Sequence, residues 1–168
     1  GAKLSDTEVR ELLSGLQVAR LSSRDEAEVA GYAECMELVC SSHAEIPLDE
    51  NHLKQLHQVL LKYVPKDARH RGEYKKLPNH VEAFDHDGKS VGVVFETATP
   101  FDTPGLMSDL IGWFQMEQRE QNMHPLLAIA VFIVHFLAIH PFQDGNGRLS
   151  RILTTLLLLQ AGYHYVPY

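Results

Sequence analysis

The chain has 168 residues, of which 45% are hydrophobic and 22% charged, which predicts one soluble folded domain with a substantial core. Its formal net charge of −7 and its lack of a basic run exclude nucleic acid as an expected partner. No stretch resembles a secretory signal or a membrane span, so we expect no membrane partner and a cytoplasmic location.

The cysteine count points to a reducing compartment. Cys35 and Cys40 are the only two cysteines, and they stand five positions apart in a helical pattern. This spacing fits neither a zinc site nor a redox pair. We therefore expect both thiols to lie in the core.

Helical periodicity dominates the first third of the chain. Ser5 with Glu8 and Ser23 with Glu26 have the spacing of capping boxes, and a third helix is predicted to begin near Asp49. The apolar residues at helical spacing after these three starts are Val9, Leu12, Leu13 and Leu16, then Val29, Tyr32, Ala33, Met36 and Val39, then Leu53, Leu56, Val59 and Leu60.

Residues 80–97 break the helical pattern. Residues 81–84 and 91–95 alternate in the manner of strands, and the segment between them is a turn, so a β-hairpin is predicted. Gly88-Lys89-Ser90 resembles the end of a phosphate-binding Walker loop, but Ala83 stands where the first glycine of that motif belongs. We therefore prefer the hairpin turn. The exposed edge of such a hairpin can pair with an extended peptide.

Three further helices are predicted after the hairpin. Thr103 followed by proline is typical of an N-cap, and Pro125 opens a segment to Ile139 that is apolar almost all round and predicts a buried helix. A last apolar segment follows at 152–159, and Gly162 is expected to close it. The apolar face of the first of these helices comprises Leu106, Leu110, Ile111 and Phe114.

The connection between the last two apolar segments, residues 140–151, predicts a phosphate site. Gly145 and Gly147 have no Cβ, so the chain can turn there and a ligand can approach the backbone. The helix that begins beside them offers unpaired N–H groups and the positive end of its dipole. Arg148 and Arg151 are three residues apart and can face the same anion, which guanidinium groups bind bidentately.

Two more residues of the same connection add chemistry. His140 can be neutral near pH 7 and accept a proton, and Asp144 offers the hard oxygen that Mg²⁺ prefers beside nucleotide phosphates. Each feature alone is more often structural: a histidine that ends a helix, a Gly-Asn-Gly turn or an Asp–Arg ion pair. One short loop that holds all of them predicts an active site.

The string His-Pro-Phe-x-Asp-Gly-Asn-Gly-Arg-x-x-Arg resembles the signature of Fic domains. Its type-fixed positions are His140, Phe142, Asp144, Gly145, Asn146, Gly147, Arg148 and Arg151. At about one in twenty per position, a chance match at a given site is on the order of one in ten billion. The resemblance implies an all-α fold, mainly a helical bundle with a small β-hairpin flap. It also implies a single domain over 1–168, with the flap at 80–97 and the active-site loop at 140–151.

Fic enzymes transfer AMP from ATP to a Ser, Thr or Tyr hydroxyl of a target protein and release pyrophosphate. By this resemblance His140 would take the proton of the attacking hydroxyl, and Asp144 would hold Mg²⁺. The remaining implied contacts are Gly145, Asn146 and Gly147 to the phosphates, Arg148 to the β-phosphate, Arg151 to the γ-phosphate, and Pro141 with Phe142 as structural residues of the loop.

The resemblance also implies partners. The flap residues Val93, Val94 and Phe95 would bind the backbone of a protein substrate as an added strand. The stretch 71–74 resembles a short element that precedes the flap in relatives, with Lys75 where arginine is usual. A homodimer is a further implied state, without an assigned interface. The full-length protein is expected to be longer at both ends, because relatives carry an inhibitory helix before this stretch and further helices after it.

Two other functions stay open from the sequence. The same site could remove AMP or transfer another nucleotidyl or phosphoryl group. Relatives that remove AMP use an inhibitory glutamate that we do not identify in this sequence. The chain could instead be a non-catalytic nucleotide-sensing or protein-binding module, although such a module has no need of a base beside a metal carboxylate.

Overall fold

A computed structural model of the chain describes residues 24–84, 86 and 88–164. The first capping box, Ser23 and the first predicted helix lie outside these residues. The elements in chain order are α1 (Arg24–Ser42), α2 (Glu50–Leu60), β1 (His80–Phe84), β2 (Ser90–Glu96), α3 (Thr103–Glu120), α4 (Pro125–Ile139) and α5 (Asn146–Gln160), with short 3₁₀ turns at His43–Glu45 and Pro65–Asp67. The predicted fold class, a helical bundle with one small hairpin, is confirmed.

The helices enclose one apolar core. Helix α4 packs against α3 on one side and α5 on the other, and α1 packs on both α2 and α5. The largest side chains that are fully buried come from α2, α3, α4, α5 and the segments beside them: Phe132, Phe136, Phe142, Leu53, Leu60, Leu61, Met107, Leu149, Ile152, Leu153, Leu156 and Leu157. The loop between α4 and α5 is therefore anchored at the centre of the bundle.

Helix α1 buries a face that only partly agrees with the predicted one. Val39 is buried as predicted, but Val29, Tyr32, Ala33 and Met36 are only partly buried. The other buried residues of the helix are Ala27, Glu28, Ala30, Gly31 and Cys35. The reason is close approach, because a Cβ at Gly31 would collide with the Leu60 carbonyl at the end of α2. Small residues therefore let the α1 backbone pack tightly on its neighbours. Cys40, predicted to be a core thiol, is half-buried because it lies off this face.

Several predicted helix ends are confirmed and one is wrong. Asp49 caps α2 by accepting the N–H of His52 at 2.8 Å, and Pro125 is the first residue of α4. The cap of α3 is Asp102, because Thr103 is already helical and its hydroxyl donates to the Thr99 carbonyl at 2.7 Å. Helix α5 ends at Gln160, and Gly162 follows with a left-handed φ of 87°, as predicted.

One face of α4 is more exposed than the sequence predicts. Leu126, Leu127, Val131 and Val134 are exposed, although the opposite face of the helix lies in the core. An apolar composition all round therefore did not mean burial all round in the described part of the chain. None of the described helices is long and apolar enough to cross a membrane. On α3, Met107 replaces the predicted Leu106 in the core.

The hairpin matches its prediction closely. Strands β1 and β2 pair antiparallel, with His80 opposite Glu96 and Val81 opposite Phe95, and two irregularities further along interrupt the register. Gly88 lies between the strands with a left-handed φ of 76°, and Ser90 is the first residue of β2. The Walker-like residues therefore form the end of the hairpin turn and the start of a strand, as predicted. The two strands are the whole sheet within the described residues.

Candidate active site

The loop between α4 and α5 makes two left-handed turns. His140 ends α4 with a φ of 54°, and its N–H donates to the Phe136 carbonyl at 2.9 Å. Gly145 precedes α5 with a φ of 83°, a conformation that favours glycine. Its side of the loop is also crowded, since a Cβ there would lie 3.4 Å from the Leu60 side chain. The loop thus leaves one helix and enters the next within a short, fixed bend.

The His140 imidazole contacts the last turn of α4. Its Nδ1 lies 3.2 Å from the Leu137 carbonyl, which can only accept, so Nδ1 carries the proton and donates. Nε2 of the neutral ring is then an acceptor. Burial lowers the pKa of His140, and the nearby Lys75 ammonium lowers it further, whereas the Leu137 hydrogen bond and Asp144 oppose the change. The ring is therefore neutral at pH 7.

Phe142 and Asn146 hold the bend together from inside. Phe142 is fully buried, as expected of a residue that anchors the loop. Asn146 is 2% exposed, and its side chain accepts the N–H of Phe142 at 2.9 Å and donates to the Phe142 carbonyl at 2.7 Å. The Asn146 side chain is thus directed at the loop backbone, which differs from the predicted contact with a phosphate.

His57 on α2 is a part of the site that the sequence reasoning missed. Its ring stacks on Phe142 with centroids 3.8 Å apart, and its Nδ1 accepts the N–H of Gly72 at 2.9 Å. Nε2 must therefore carry the proton and donate to the Asp144 carbonyl at 3.0 Å. Burial lowers the pKa of His57 to about 4, which keeps this ring neutral. His57 thus holds the Asp144 carbonyl in place from the core side of the loop.

Four charged side chains form a closed ring beside the loop. Asp144 Oδ2 lies 3.0 Å from Arg24 Nη2 and 3.3 Å from Arg148 Nη2. Glu28 Oε1 lies 2.6 Å from Arg24 Nε, and Glu28 Oε2 lies 3.2 Å from Arg148 Nη1. Positive and negative groups alternate around this charge ring. Helix α1 therefore supplies half of the charges that surround the predicted metal and phosphate ligands.

Glu28, Asp144 and Arg148 of the charge ring line a cleft of about 720 Å³. Gly147 lines the cleft, and a Cβ at this position would meet nothing within 4 Å, so the backbone is open to a ligand. The first turn of α5 has no side-chain cap, which leaves its N–H groups for an anion. The lining residues are Glu28, Val29, Tyr32, Asn79, His80, His140, Gln143, Asp144, Gly145, Asn146, Gly147, Arg148 and Arg151.

The cleft brings together the predicted ligand-binding residues. His140, Asp144, Gly145, Gly147 and Arg148 all line the cleft at the start of α5. Arg151 lies further along the same helix, is exposed, and makes no ion pair with any residue in the described part of the chain. Pro141 and Phe142 are loop residues on the side away from the cleft lining. The Pro141 carbonyl accepts the N–H of Lys75 at 2.8 Å.

Asp144 fits the predicted Mg²⁺ ligand. No group of three or more His, Cys, Asp or Glu side chains forms a metal cluster among residues 24–84, 86 and 88–164. Mg²⁺ bound with a nucleotide uses only one or two carboxylates, together with phosphate oxygens and water. The Asp144 carboxylate is 38% exposed and lines the cleft, so it meets that requirement. Arg24 and Arg148 would have to give up its Oδ2 oxygen to the ion.

The fold and this cleft define a helical domain with an uncapped helix start and a histidine lining one cleft. Comparison with known families gives the identity of that class. The family model of the Fic/DOC family matches residues 47–158. The chain belongs to the Fic/DOC family, and the predicted resemblance is confirmed.

Individual relatives agree with this assignment. The chain is 47% identical to "Protein adenylyltransferase Fic" of Culex quinquefasciatus over 64 residues, which is 38% of this chain and 13% of the relative. It is 26% identical to "Protein adenylyltransferase fic-1" of Caenorhabditis briggsae over 97% of this chain and 30% of the relative. A Fic domain containing signaling protein from Bacteroides thetaiotaomicron superimposes with a TM-score of 0.77 at 28% identity, covering 96% of this chain and 59% of that one. The chain thus spans less than a third of both curated relatives.

Proposed function

We propose that this domain transfers AMP from ATP to a hydroxyl group of a target protein and releases pyrophosphate. The observation that carries the proposal is the neutral His140 ring, whose Nδ1 is committed to Leu137 and whose Nε2 is left to accept a proton beside the α5 amides. The curated relatives that bear the name protein adenylyltransferase support the same reaction.

In the proposed reaction the hydroxyl oxygen of the target attacks the α-phosphorus of ATP. His140 Nε2 takes the hydroxyl proton, the bond from the α-phosphorus to the bridging oxygen breaks, and pyrophosphate leaves with that electron pair. The N–H groups of the first α5 turn and the Arg148 guanidinium stabilise the charge that develops on the phosphates. Arg151 extends toward the terminal phosphate. Mg²⁺ held by Asp144 would neutralise phosphate charge.

We further propose that the target docks on the flap. Val91, Val93 and Phe95 of β2 are exposed by 66%, 52% and 45%, so this strand presents apolar side chains to solvent. A two-stranded sheet also offers backbone N–H and C=O groups to an added strand. The predicted flap residues include Val94, of whose side chain the structure gives no description. The hairpin begins at His80, which lines the nucleotide cleft, so a docked strand would lie near His140.

The function is tested by labelling. The chain is incubated with Mg²⁺, a protein lysate and ATP labelled at the α-phosphate, and in parallel with ATP labelled at the γ-phosphate. Protein-bound label from the α-phosphate alone, abolished by His140→Ala, is the expected result. Transfer from γ-labelled ATP would replace the proposal with phosphotransfer. ATP binding without any transfer would replace it with nucleotide sensing.

Arg148→Ala should weaken ATP binding. The substitution removes a charge-assisted contact to the phosphates, worth about 1.5–3 kcal/mol, or roughly 10- to 100-fold in Kd. Isothermal titration with a non-hydrolysable ATP analogue measures the change. Arg119→Ala, an exposed arginine at the end of α3, is the matched control and should leave Kd unchanged. Equal affinities of the two variants would remove Arg148 from the site.

The rate of transfer should be independent of pH in the neutral range and should fall only at pH values below the usual pKa of histidine. A general base must be neutral, and protonation stops it as the pH falls through its pKa. Because burial lowers the pKa of His140 from 6.5 in the protein without nucleotide, the acid limb of kcat/KM for ATP should have its midpoint below 6.5. Initial rates between about pH 5 and pH 8 at ATP concentrations well below KM measure it. A midpoint above 6.5 would contradict this account of the His140 environment.

A further inference from the structure

Both ends of the flap converge on one buried ammonium group. Lys75 is 3% exposed, and its Nζ donates to Asn79 Oδ1 at 2.8 Å, Thr97 Oγ1 at 2.9 Å and the Ile139 carbonyl at 2.9 Å. An ammonium has three donors, so all of them are used. Asn79 directly precedes β1 and Thr97 directly follows β2. We call Lys75, Asn79 and Thr97 the flap clasp.

Within the flap clasp, Thr97 and Asn79 are hydrogen-bonded to each other as well as to Lys75. The Thr97 hydroxyl lies 2.7 Å from both the carbonyl and Oδ1 of Asn79, so it bridges the two ends of the hairpin while it accepts from Lys75. The network fixes the orientation of the Asn79 amide, because Oδ1 accepts from Lys75 and Nδ2 must donate. The first and last residues around the hairpin are thereby held in one arrangement.

The flap clasp is joined to the residues on both sides of His140. Lys75 reaches the carbonyl of Ile139, immediately before the histidine, and Asn79 Nδ2 donates to the carbonyl of Phe142 at 2.9 Å, two residues after it. Tyr74 forms an antiparallel bridge with Phe142, which lays the segment before the flap along the loop. None of these bonds reaches Gly147, Arg148 or Arg151. The contacts of the clasp therefore concern the flap and the base and do not include the phosphate ligands.

The positive charge of Lys75 makes its three hydrogen bonds important for the structure. Burial lowers the pKa of Lys75 to about 8, so the ammonium still predominates at pH 7 and can make three bonds. The three acceptors are two side-chain oxygens and a carbonyl, and no carboxylate neutralises the charge among its hydrogen-bond partners. A buried cation held only by neutral oxygens requires all of its hydrogen bonds, because an unmade bond to a buried charge is costly.

We propose that Lys75, Asn79 and Thr97 are positioning residues that fix the flap relative to the His140 imidazole and so place the acceptor hydroxyl for attack. This inference rests on the proposed AMP transfer to a target docked on the flap. A displacement of about 1 Å can cost about 100-fold in rate, so a loosened flap base reduces transfer even when ATP is bound normally. Asn79 lines the cleft but Thr97 does not, so loss of the Thr97 hydroxyl should affect the use of the protein acceptor and leave nucleotide affinity unchanged.

The test compares Thr97→Val with Thr97→Ser. Valine has nearly the same shape as threonine but no hydroxyl, whereas serine keeps the hydroxyl and loses only a methyl group. Three quantities are measured for both variants: the transfer rate against concentration of a labelled acceptor, the Kd for a non-hydrolysable ATP analogue, and hydrogen exchange of residues 80–96. We expect Thr97→Val to lower kcat/KM for the acceptor by about tenfold, with Kd unchanged and exchange of the flap faster. Thr97→Ser should behave as the unsubstituted chain.

Other outcomes overturn the inference. Transfer by Thr97→Val equal to that by Thr97→Ser removes the positioning role. A loss of transfer that comes with an equal loss of ATP affinity and a lower Tm shows a general structural residue instead. If the unsubstituted chain transfers no label, AMP transfer itself fails, and unchanged flap exchange in Thr97→Val then rejects the clasp separately. Thr97→Ala takes the same measurements if the valine variant does not fold.

Discussion

His140→Ala should lower the turnover rate of AMP transfer by about 10²- to 10⁴-fold, the usual contribution of a general base, and should leave ATP affinity within about twofold. The reason is geometric. Nδ1 of His140 is committed to the Leu137 carbonyl, so Nε2 is the ring atom free to accept a proton, while the proposed phosphate contacts are the α5 amides and Arg148. Removing the ring thus removes the base but no phosphate ligand.

Single-turnover labelling measures the rate, and titration with an ATP analogue measures the affinity. His135→Ala is a matched control, because it deletes the same side chain from an exposed position of the same helix. This control should transfer AMP at the rate of the unsubstituted chain. A His140→Ala variant that is as fast as the control would reject the general-base role, and one that loses ATP affinity instead would place the ring among the nucleotide contacts.

Phe142→Ala should lower the free energy of unfolding by about 3–5 kcal/mol, as expected when a fully buried phenylalanine is truncated. Phe142 is 0% exposed, stacks on His57 and makes a tilted contact with Tyr74, with ring centroids 5.6 Å apart and planes at 53°. Removal of the Phe142 ring would leave a cavity on the core side of the active-site loop. We therefore expect transfer activity to fall together with stability.

Urea denaturation followed by circular dichroism measures the free energy of unfolding. Phe101→Ala is the control, because Phe101 is 92% exposed and its truncation should change stability by no more than about 0.5 kcal/mol. A Phe142→Ala variant as stable as this control would show that the loop can close the cavity, and that the aromatic stack is dispensable for the fold.

The local part of the site could be predicted from the sequence. The residues from His140 to Arg151 are contiguous, so their glycines, charges and flanking apolar segments indicated a bend before a helix, and the structure has that bend. The hairpin was predictable for the same reason, because alternation and a turn are signals within a few residues of one another. The fold class was implied by the resemblance to Fic domains, and the helical periodicity agreed with it.

The long-range part could not be predicted in the same way. Glu28 reaches Arg148, and Lys75 reaches Ile139, across many intervening residues, and a single sequence carries no sign of such pairs. His57 had a weak signal, since it stands on the apolar face of α2 beside Leu53 and Leu60. A histidine at a core position of an amphipathic helix needs buried partners, and that requirement indicates a structural role even before the partners are known.

The error in predicting the buried face of α1 also comes from a long-range contact. Its larger apolar residues were expected to be buried, but close packing on α2 selected the small ones, with Gly31 at the contact with Leu60. Hydrophobic size alone does not determine which face of a helix is buried when the distance between backbones is short. The same packing brings Glu28 to the cleft.

The charge ring would make the proposed nucleotide binding an exchange of counterions. Arg24, Glu28, Asp144 and Arg148 already neutralise one another in the resting cleft. An incoming metal–triphosphate complex would substitute its own cation for the guanidinium groups at the aspartate and its own anions for the carboxylates at Arg148. The measured affinity would then be the difference in free energy between the ion pairs within the protein and the ion pairs with the ligand. It would be weaker than the attraction of an unpaired guanidinium for phosphate.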